Sequence, residues 1–360
     1  MAYTTLEDIA KRAGKSIATV SRVLNGKADS GIRIGEETRR LIEEIARELN
    51  YRPNYNARHL KKRGSRVIGL LIPDIMQIYF NEICYHLSRR LDERGYDLLL
   101  SHSYEEAKPE RRALETILSR RVDGIIVAPA SGKENLSLLR EIRNEGIPLI
   151  LLDRYFPGEE FHSVVTDDTE GSYKLTMHLL ERGAKRVAFI CGNRSTSVTI
   201  ERLAGYRKAF AEAGISVDEK LIIESGYFNR DGYEAAFSLI ERGLVAKGGA
   251  KKIDAIMGVN DDVAIGALKA LWEYGLRVPD DVMVAGYGDE RYSGLLKVPL
   301  TSVKQPTEFI ADAAYRLLMQ LLDNKIKEKS AKSINIRIPC KLVARESTGA
   351  SVSRGYTGLR

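Results

Sequence analysis

The spacing of apolar residues divides the chain into two parts that predict different folds. Through the first fifty residues apolar side chains recur every three or four positions, which predicts three helices. The first begins after Thr5, the second after Ser16 and the third spans about 36–49, with Gly14 separating the first two. The apolar faces consist of Leu6, Ile9, Ala10 and Ala13, then Val20, Val23 and Leu24, and then Leu41, Ile42, Ile45, Ala46 and Leu49.

Two short helices joined by a short turn at Gly14 have the spacing of a helix-turn-helix. In that motif the second helix enters the major groove of DNA and presents its first residues to base edges. An ordinary helical hairpin has the same spacing, so this pattern alone leaves both interpretations open.

From Arg66 onward strand-like and amphipathic helical stretches alternate, which predicts parallel sheets covered on both faces by helices. Two such units in succession imply two doubly wound lobes, whose ligands bind beyond the carboxyl ends of the strands. The strand-like runs are 67–72, 97–101, 124–127, 149–152, 163–166, 186–191, 221–225, 255–258 and 282–286. The segments at their ends that could bind a ligand are 73–80, 128–131, 153–154, 193–202, 227–228, 260–261 and 287–289. Their polar and aromatic side chains suit a polyhydroxylated ring.

Charge is distributed unevenly along the 360 residues. Residues 1–65 contain 14 Lys/Arg against 8 Asp/Glu, whereas the remainder is nearly balanced within a total net charge of +7. Such asymmetry indicates a basic module that binds phosphate groups and is joined to a nearly neutral remainder of the chain. A solvated basic face is the alternative explanation.

Composition narrows the class of protein further. Hydrophobic residues make up 44% and charged residues 29%, as in globular proteins, and the length predicts two or three domains. The sequence has no apolar run of 18 residues and no export signal, so we expect a cytoplasmic protein without a membrane partner. Its three cysteines and five histidines have no metal-ligand spacing, which predicts reduced core thiols and neither metal nor cofactor. Without a phosphate-binding glycine loop or a catalytic triad of known spacing, we do not expect an enzyme.

A longer motif makes the helix-turn-helix interpretation specific. Residues 6–26 read LEDIAKRAGKSIATVSRVLNG and residues 49–54 read LNYRPN. Both segments resemble the lactose-repressor (LacI/GalR) family of bacterial transcriptional regulators, and the resemblance continues to about residue 346. It implies a DNA-binding regulator, a repressor in our interpretation, that is controlled by a small effector. The implied parts are a helix-turn-helix domain at 1–51, a hinge at 52–65, a periplasmic-binding-protein-like core of two lobes at 66–347 and a tail at 348–360.

The same resemblance assigns DNA contacts to individual residues. Ile17, Ala18 and Arg22 occupy base-reading positions, where Arg22 can pair bidentately with guanine and the other two can touch a thymine methyl. Two departures are the long loop at 27–34 and Gly35, which replaces the usual serine before the third helix. Phosphate contacts are expected from Ser16, Thr19, Ser21 and Asn25.

The hinge is short, basic and a poor helix former, so we expect it to become helical only on DNA. By resemblance Leu60 is the apolar wedge that opens the central base step in the minor groove. Asn54, Ala57 and Lys61 are expected to contact DNA beside it. A basic linker with Leu60 packed on the core is the alternative.

Within the core the resemblance implies an effector site between the lobes. Gly288 stands where relatives carry an effector-binding aspartate, so we expect a pocket of altered or larger capacity with Asp289 as the substitute. Phe80 and Phe228 could instead pack in the core, and Asp153 could instead pair with Arg154. The residues that match the family's effector contacts are Tyr79, Phe80, Asp153, Arg202, Phe228 and Asn260.

The expected partners are a pseudo-palindromic operator in double-stranded DNA, a mono- or disaccharide and a second copy of the chain. The tail has no leucine heptad, which favours a homodimer over a coiled-coil tetramer. A purine or a phosphorylated metabolite acting as co-repressor is the competing effector class. A transport-associated sugar-binding protein would share the core but lack the basic head.

Overall fold

The computed structural model describes residues 4–24, 34–51, 64–130, 132–246, 253–323 and 333–350. The chain divides into two compact units between Ser65 and Arg66. Helices make up the first unit and two α/β lobes the second, which confirms the predicted fold class. Within the described ranges, no helix is long and apolar enough to cross a bilayer.

The first unit contains α1 (Leu6–Ala13), α2 (Ile17–Leu24) and α3 (Glu36–Glu48). A reciprocal cap begins α1: the Asp8 amide donates to Thr5 Oγ1 (3.3 Å) and the Thr5 amide donates to Asp8 Oδ2 (2.8 Å). The helix ends at Gly14, whose φ of +61° is the left-handed conformation that terminates helices. These two signals fix the turn from which α2 starts.

The core of the first unit lies where its three helices meet. Leu41 departs from the predicted pattern, since 41% of its surface is exposed. The apolar stripe of α3 is wider than the surface that α1 and α2 cover, so one of its members stays outside. The buried members of this core are Ile9, Ala10, Ala13, Val20, Ile42, Ile45 and Ala46.

In the second unit strands and helices alternate, as the apolar runs predict. The strands are β1 (Val67–Ile72), β2 (Asp97–His102), β3 (Gly124–Val127), β4 (Leu149–Leu152), β5 (His162–Thr166), β6 (Val187–Cys191), β7 (Ile222–Glu224), β8 (Ala255–Gly258), β9 (Met283–Gly288), β10 (Thr301–Lys304), β11 (Asn335–Ile338) and β12 (Lys341–Val343). The helices are α4 (Ile78–Asp92), α5 (Ala107–Ser119), α6 (Leu136–Asn144), α7 (Asp168–Glu181), α8 (Ser197–Glu212), α9 (Asn229–Glu241), α10 (Asp261–Glu273) and α11 (Thr307–Leu322).

Each lobe is built on one six-stranded sheet, and the two sheets have equivalent strand orders. The first lobe has the order β2-β1-β3-β4-β5-β11 with all pairs parallel. The second has the order β7-β6-β8-β9-β10-β12, in which β12 runs antiparallel to β10. The strand order reverses between β1 and β3 and between β6 and β8. Ligands of such sheets bind at this switch point, beyond the carboxyl ends of the strands.

The two lobes are interleaved along the chain and are not simply consecutive. The chain leaves the first lobe after β5, returns between β10 and α11, and crosses again between β11 and β12. Helix α11 packs on α4 and so completes the first lobe. Strand β10 pairs with β9 in the second sheet, and residues 305–306 make the crossing to the first lobe. The apolar pattern of a strand does not reveal which sheet accepts it.

The core extends into the segment that the sequence assigned to the tail. Thr348 is buried, and its hydroxyl lies 2.8 Å from His178 Nε2 and 2.7 Å from Thr301 Oγ1. Ser347 Oγ donates to the Val284 carbonyl (2.6 Å). Residues 346–350 therefore pack against the second lobe.

Helices α9 and α10 approach each other closely at two glycines. A Cβ on Gly266 would lie 1.8 Å from the Asn229 carbonyl oxygen, and one on Gly232 would lie 2.0 Å from that of Val263. Both obstacles are backbone atoms, which no side-chain rotation removes. This contact fixes the relative position of the two helix N-termini, which carry residues of the site described below.

Replacing Gly266 with alanine tests this close approach. The change gains about 1 kcal/mol of helix propensity, but we expect overpacking to outweigh it and to leave a net loss of about 1–3 kcal/mol. Thermal unfolding of the full chain measures the effect. Gly294→Ala is the matched control, because its Cβ would lie 3.6 Å from the Arg345 side chain in ordinary contact. A Gly266→Ala variant as stable as wild type would contradict the packing.

Candidate functional site

The first residues of α2 form an exposed surface on the first unit. Ser16 and Ala18 are exposed, as is 49% of Ile17. The Thr19 amide donates to Ser16 Oγ (3.1 Å), so Ser16 begins the helix. Thr19, Ser21 and Arg22 are half-buried. Asn25, Asn54, Ala57, Leu60 and Lys61, for which DNA contacts were predicted, lie outside the described residues.

In the second unit a small cavity lies between the carboxyl ends of the two sheets. This interlobe cavity has a volume of about 40 Å³, which is room for a few water molecules. Gln77, Tyr79, Phe80, Asp153 and Arg154 of the first lobe line it. The opposite wall consists of Val198, Arg202, Tyr227, Asn260, Tyr287, Gly288 and Glu290, together with Gln305 from the crossing segment.

Three buried polar atoms on the first-lobe wall have no hydrogen-bond partner among the described residues. They are Gln77 Nε2, the Tyr79 hydroxyl and Arg154 Nε. The Tyr79 ring meets Phe80 edge to face at a centroid distance of 5.0 Å, which fixes the hydroxyl at the cavity. A buried polar group without a partner costs about 1–3 kcal/mol, so this wall favours a ligand that supplies partners.

Asp153 follows β4 in a left-handed conformation with φ of +64°. Its side chain is buried, and burial raises its pKa to about 6, against the opposing charge of Arg154. Arg154 Nε lies 3.8 Å from the Asp153 carboxylate, which is too far for a hydrogen bond. The pairing of these two neighbours that the sequence left open is therefore weak, and Asp153 faces the cavity.

The guanidinium of Arg154 is neutralised by a different carboxylate of the same lobe. Nη1 and Nη2 each donate to Glu105 at 2.7 Å, and Nη1 also donates to the Pro129 carbonyl at 3.0 Å. Burial alone would lower its pKa, but Glu105 outweighs burial and the pKa is raised. Across the cavity its Cζ lies 5.1 Å from the ring centre of Tyr227.

Arg202 of α8 is held in the same way on the second lobe. Its Nε and Nη2 both lie 3.0 Å from Asp168 Oδ1, and Nη1 donates to the Val259 carbonyl at 2.5 Å. The guanidinium stacks on Tyr287 at 3.6 Å from the ring centre. Three of the five N–H donors are thus used within the protein.

Asn260 lines the cavity, but its amide group serves the backbone. Oδ1 accepts from the Val263 amide (2.9 Å) and caps α10, while Nδ2 donates to the Tyr227 carbonyl (2.8 Å). The asparagine therefore joins the start of α10 to the residue that forms the aromatic wall. Its predicted direct contact with an effector remains a prediction.

Two predicted effector residues do not line the cavity. Phe228 begins α9, with its amide donating to Asp231 Oδ2 (2.8 Å), and the preceding Tyr227 forms the aromatic wall instead. Asp289 points to Arg345, at 2.6 Å. Its successor Glu290 carries the acidic group that faces the cavity.

Several lining residues were absent from the predicted contacts, although the sequence contained a signal for most of them. Gln77, Arg154, Tyr227 and Tyr287 lie in the strand-end segments that were singled out, and the choice within each segment depended on side-chain direction. Gln305 follows β10, and its Nε2 donates to Thr166 Oγ1 (3.2 Å) where the chain crosses between lobes.

A polar cluster joins the lobes beside the cavity. Arg337 of β11 donates to both carboxylate oxygens of Glu201 on α8 (2.9 and 2.6 Å), and the Tyr155 hydroxyl donates to Glu201 as well (2.5 Å). The Tyr155 amide donates to Ser197 Oγ (3.0 Å). These contacts hold the lobes at their present separation.

The described residues that line the cavity offer hydrogen-bonding groups and aromatic faces, and neither of their two guanidiniums is unpaired. Both buried guanidiniums have carboxylate partners, and the remaining acidic groups at the cavity have raised pKa values. Among the described residues no three His, Cys, Asp or Glu side chains are arranged to hold a metal ion. All three cysteines are free thiols.

Known proteins share both units of this chain. Residues 5–54 match the family described as bacterial regulatory proteins, lacI family, and residues 176–348 match the periplasmic binding protein-like domain. The HTH-type transcriptional regulator AscG of Escherichia coli strain K12 is 35% identical over 88% of this chain and 92% of its own length. DegA of Bacillus subtilis strain 168, also an HTH-type transcriptional regulator, is 33% identical over 96% and 98%.

Solved structures agree with these relatives. The lac repressor dimer bound to operator and the anti-inducer ONPF superposes with a TM-score of 0.78 at 27% identity, over 97% of this chain and 100% of that one. The complex of the transcriptional regulator CelR with cellobiose gives 0.70 at 28% identity, over 96% and 99%. The resemblance inferred from the sequence is confirmed, and the chain belongs to the LacI family of HTH-type, DNA-binding transcriptional regulators.

Proposed function

We propose that this regulator is a repressor that senses a neutral, polyhydroxylated ligand of the sugar class in the interlobe cavity. The observation that carries the proposal is the convergence of Gln77 Nε2, the Tyr79 hydroxyl and Arg154 Nε on one cavity without protein partners. Hydroxyl groups on a ring can serve all three, and the Tyr79 and Tyr227 rings offer faces for its C–H surface.

The charge balance of the cavity argues against a phosphorylated ligand. An anion needs an uncompensated cation, whereas Arg154 and Arg202 are already paired with Glu105 and Asp168. The relative CelR binds cellobiose according to its complex, in keeping with a neutral sugar. Repressors named PurR are 30–32% identical to this chain, so a purine remains the competing effector class.

A sugar ring does not fit a cavity of about 40 Å³, so binding requires the lobes to separate. Separation breaks the contacts of Tyr155 and Arg337 with Glu201 and removes Arg154 from Tyr227. A ligand that rebuilds these contacts through its own hydroxyls shifts the population of lobe arrangements. Transmission to DNA passes through residues 52–63, outside the described ranges.

For the first unit we propose that α2 reads the operator. Arg22 would pair with a guanine, Ile17 and Ala18 would contact thymine methyl groups, and Ser16, Thr19 and Ser21 would set the register on phosphates. The operator is then pseudo-palindromic, because two copies of the chain bind as a homodimer. Exposed Met76 (74%) and Leu295 (68%) on the core supply apolar surface for such a dimer. The protein acts in the cytoplasm, where the operator is.

The ligand class is tested by measuring the melting temperature with glucose, ribose, cellobiose, hypoxanthine, glucose 6-phosphate and ribose 5-phosphate. We expect a rise from a neutral sugar, since a ligand at 100 times its Kd adds about 2.7 kcal/mol. Tyr79→Phe should lower the affinity for that sugar by about tenfold, because one hydrogen bond is lost. The unliganded variant should melt no lower than wild type, because it loses a buried hydroxyl without a partner. A response to hypoxanthine alone would replace the sugar proposal with the purine one.

Arg22→Ala tests the base-reading role. We expect operator affinity to fall by about 1–3 kcal/mol while affinity for random DNA changes little. Fluorescence anisotropy with both DNAs at fixed salt measures the ratio. Arg40→Ala on α3 is the control and should leave the ratio unchanged. Equal losses on operator and random DNA for Arg22→Ala would assign Arg22 to phosphate binding.

A further inference from the structure

The turn after β9 places three consecutive residues in different surroundings at the interlobe cavity. Gly288 lines the cavity with φ of +131°, a conformation that side chains rarely adopt. A Cβ there would lie 3.5 Å from Glu290 Cγ and 3.9 Å from the Asp261 carboxyl. The space that the missing side chain leaves at Gly288, which was expected to enlarge the pocket, is therefore bordered by the Glu290 side chain.

Asp289 does not use this space. Its φ of +52° turns its carboxylate to Arg345, at 2.6 Å, and its amide donates to Ser302 Oγ (2.9 Å). Asp289 is thereby tied to the far side of the turn. Among residues 288–290, the carboxyl group that faces the cavity belongs to Glu290.

A buried carboxylate behind the turn holds Glu290 in position. The Glu290 amide donates to Asp261 Oδ2 (2.9 Å). Ser293 Oγ and Ser302 Oγ donate to the same carboxylate, each at 2.5 Å. Asp261 is therefore fully used inside the protein. No described residue donates a hydrogen bond to the Glu290 carboxyl group, which leaves it available to a ligand.

The surroundings of Glu290 are acidic. Burial, together with the carboxylates of Asp261 and Asp262 on α10 and of Glu82 on α4, raises its pKa to about 8, against the nearby Arg291. Once Glu290 is ionised, another anion at this place meets like charge in a partly desolvated site. Hydroxyl groups, in contrast, can hydrogen-bond to the carboxyl group in either protonation state.

From this geometry we infer that Glu290 is a specificity-determining residue of the effector site. It presents its carboxyl group to ligand hydroxyls beside the bare backbone of Gly288, and in its ionised form it selects a neutral sugar over an anionic form of the same sugar. The inference rests on the proposed sugar-sensing function and adds the residue that sets its charge preference.

Paired probes test this selectivity by isothermal titration of the full chain at pH 9, above the Glu290 pKa of about 8, where its carboxyl group is ionised. The pairs are glucose with glucose 6-phosphate and ribose with ribose 5-phosphate, and cellobiose is added as a neutral disaccharide. Wild type should prefer the neutral member of a pair by about tenfold or more, and Glu290→Gln should reduce that preference by about tenfold. Asp289→Asn removes the neighbouring carboxylate and is the matched control, with a ratio within about twofold of wild type.

The outcomes separate this inference from the function on which it rests. An unchanged neutral-to-anionic ratio in Glu290→Gln, or its loss in Asp289→Asn, would overturn the role of Glu290 while the sugar site stands. Tighter binding of the phosphates by wild type would overturn it too. Wild type that binds none of the probes would contradict the proposed function itself.

A measurement without ligand checks the placement of the carboxyl group. Glu290 must take up a proton on folding at any pH between the usual carboxyl pKa and about 8, so wild-type stability falls as pH rises through that window. Glutamine removes this dependence. The melting temperature of Glu290→Gln minus that of wild type should therefore grow from pH 5 to pH 8 and then level off. A difference that does not change with pH would contradict the acidic surroundings.

Discussion

The pairing of two buried arginines, each with a carboxylate of its own lobe, is the constraint on which the cleft depends. Arg154 and Glu105 belong to the first lobe, and Arg202 and Asp168 belong to the second. Breaking a buried ion pair by removing one partner costs about 3–5 kcal/mol. Because neither pair spans the cleft, the lobes can separate without leaving a buried charge alone.

The contacts that do span the cleft are less costly to break. Glu201, whose side chain is 11% exposed, meets Arg337, whose side chain is 43% exposed, and separation of the lobes would open both to water, which can replace the partner. The contact between Arg154 and Tyr227 spans 5.1 Å. The proposed sensor needs two arrangements of similar free energy, and this division between strong contacts within lobes and weaker contacts between them is compatible with that requirement. Among the described residues that line the cavity, both arginines are paired with carboxylates, which is the basis for proposing a neutral ligand.

The sequence predicted those parts of the fold that depend on local pattern. Helix caps at Thr5 and Gly14 and the apolar runs of the strands determine elements by short-range interactions, and family motifs then placed Tyr79, Asp153 and Arg202 at the cavity. Local pattern does not determine whether each apolar residue is buried. Leu41 is exposed, because its burial depends on how much surface the neighbouring helices cover.

The remaining differences arise from contacts distant in sequence. Asp289 turns away because Arg345, more than fifty residues later, lies on the other side. The placement of β11 in the first sheet likewise depends on pairing with β5, which no periodicity encodes. Side-chain direction at the strand ends therefore required the three-dimensional structure.

The most direct test is a crystal structure of the full chain with the sugar that raises its melting temperature most. Sugar hydroxyls should hydrogen-bond to Gln77 Nε2, the Tyr79 hydroxyl and Arg154 Nε, with both ion pairs intact. A sugar bound elsewhere, or one that displaces Glu105 from Arg154 or Asp168 from Arg202, would contradict the account.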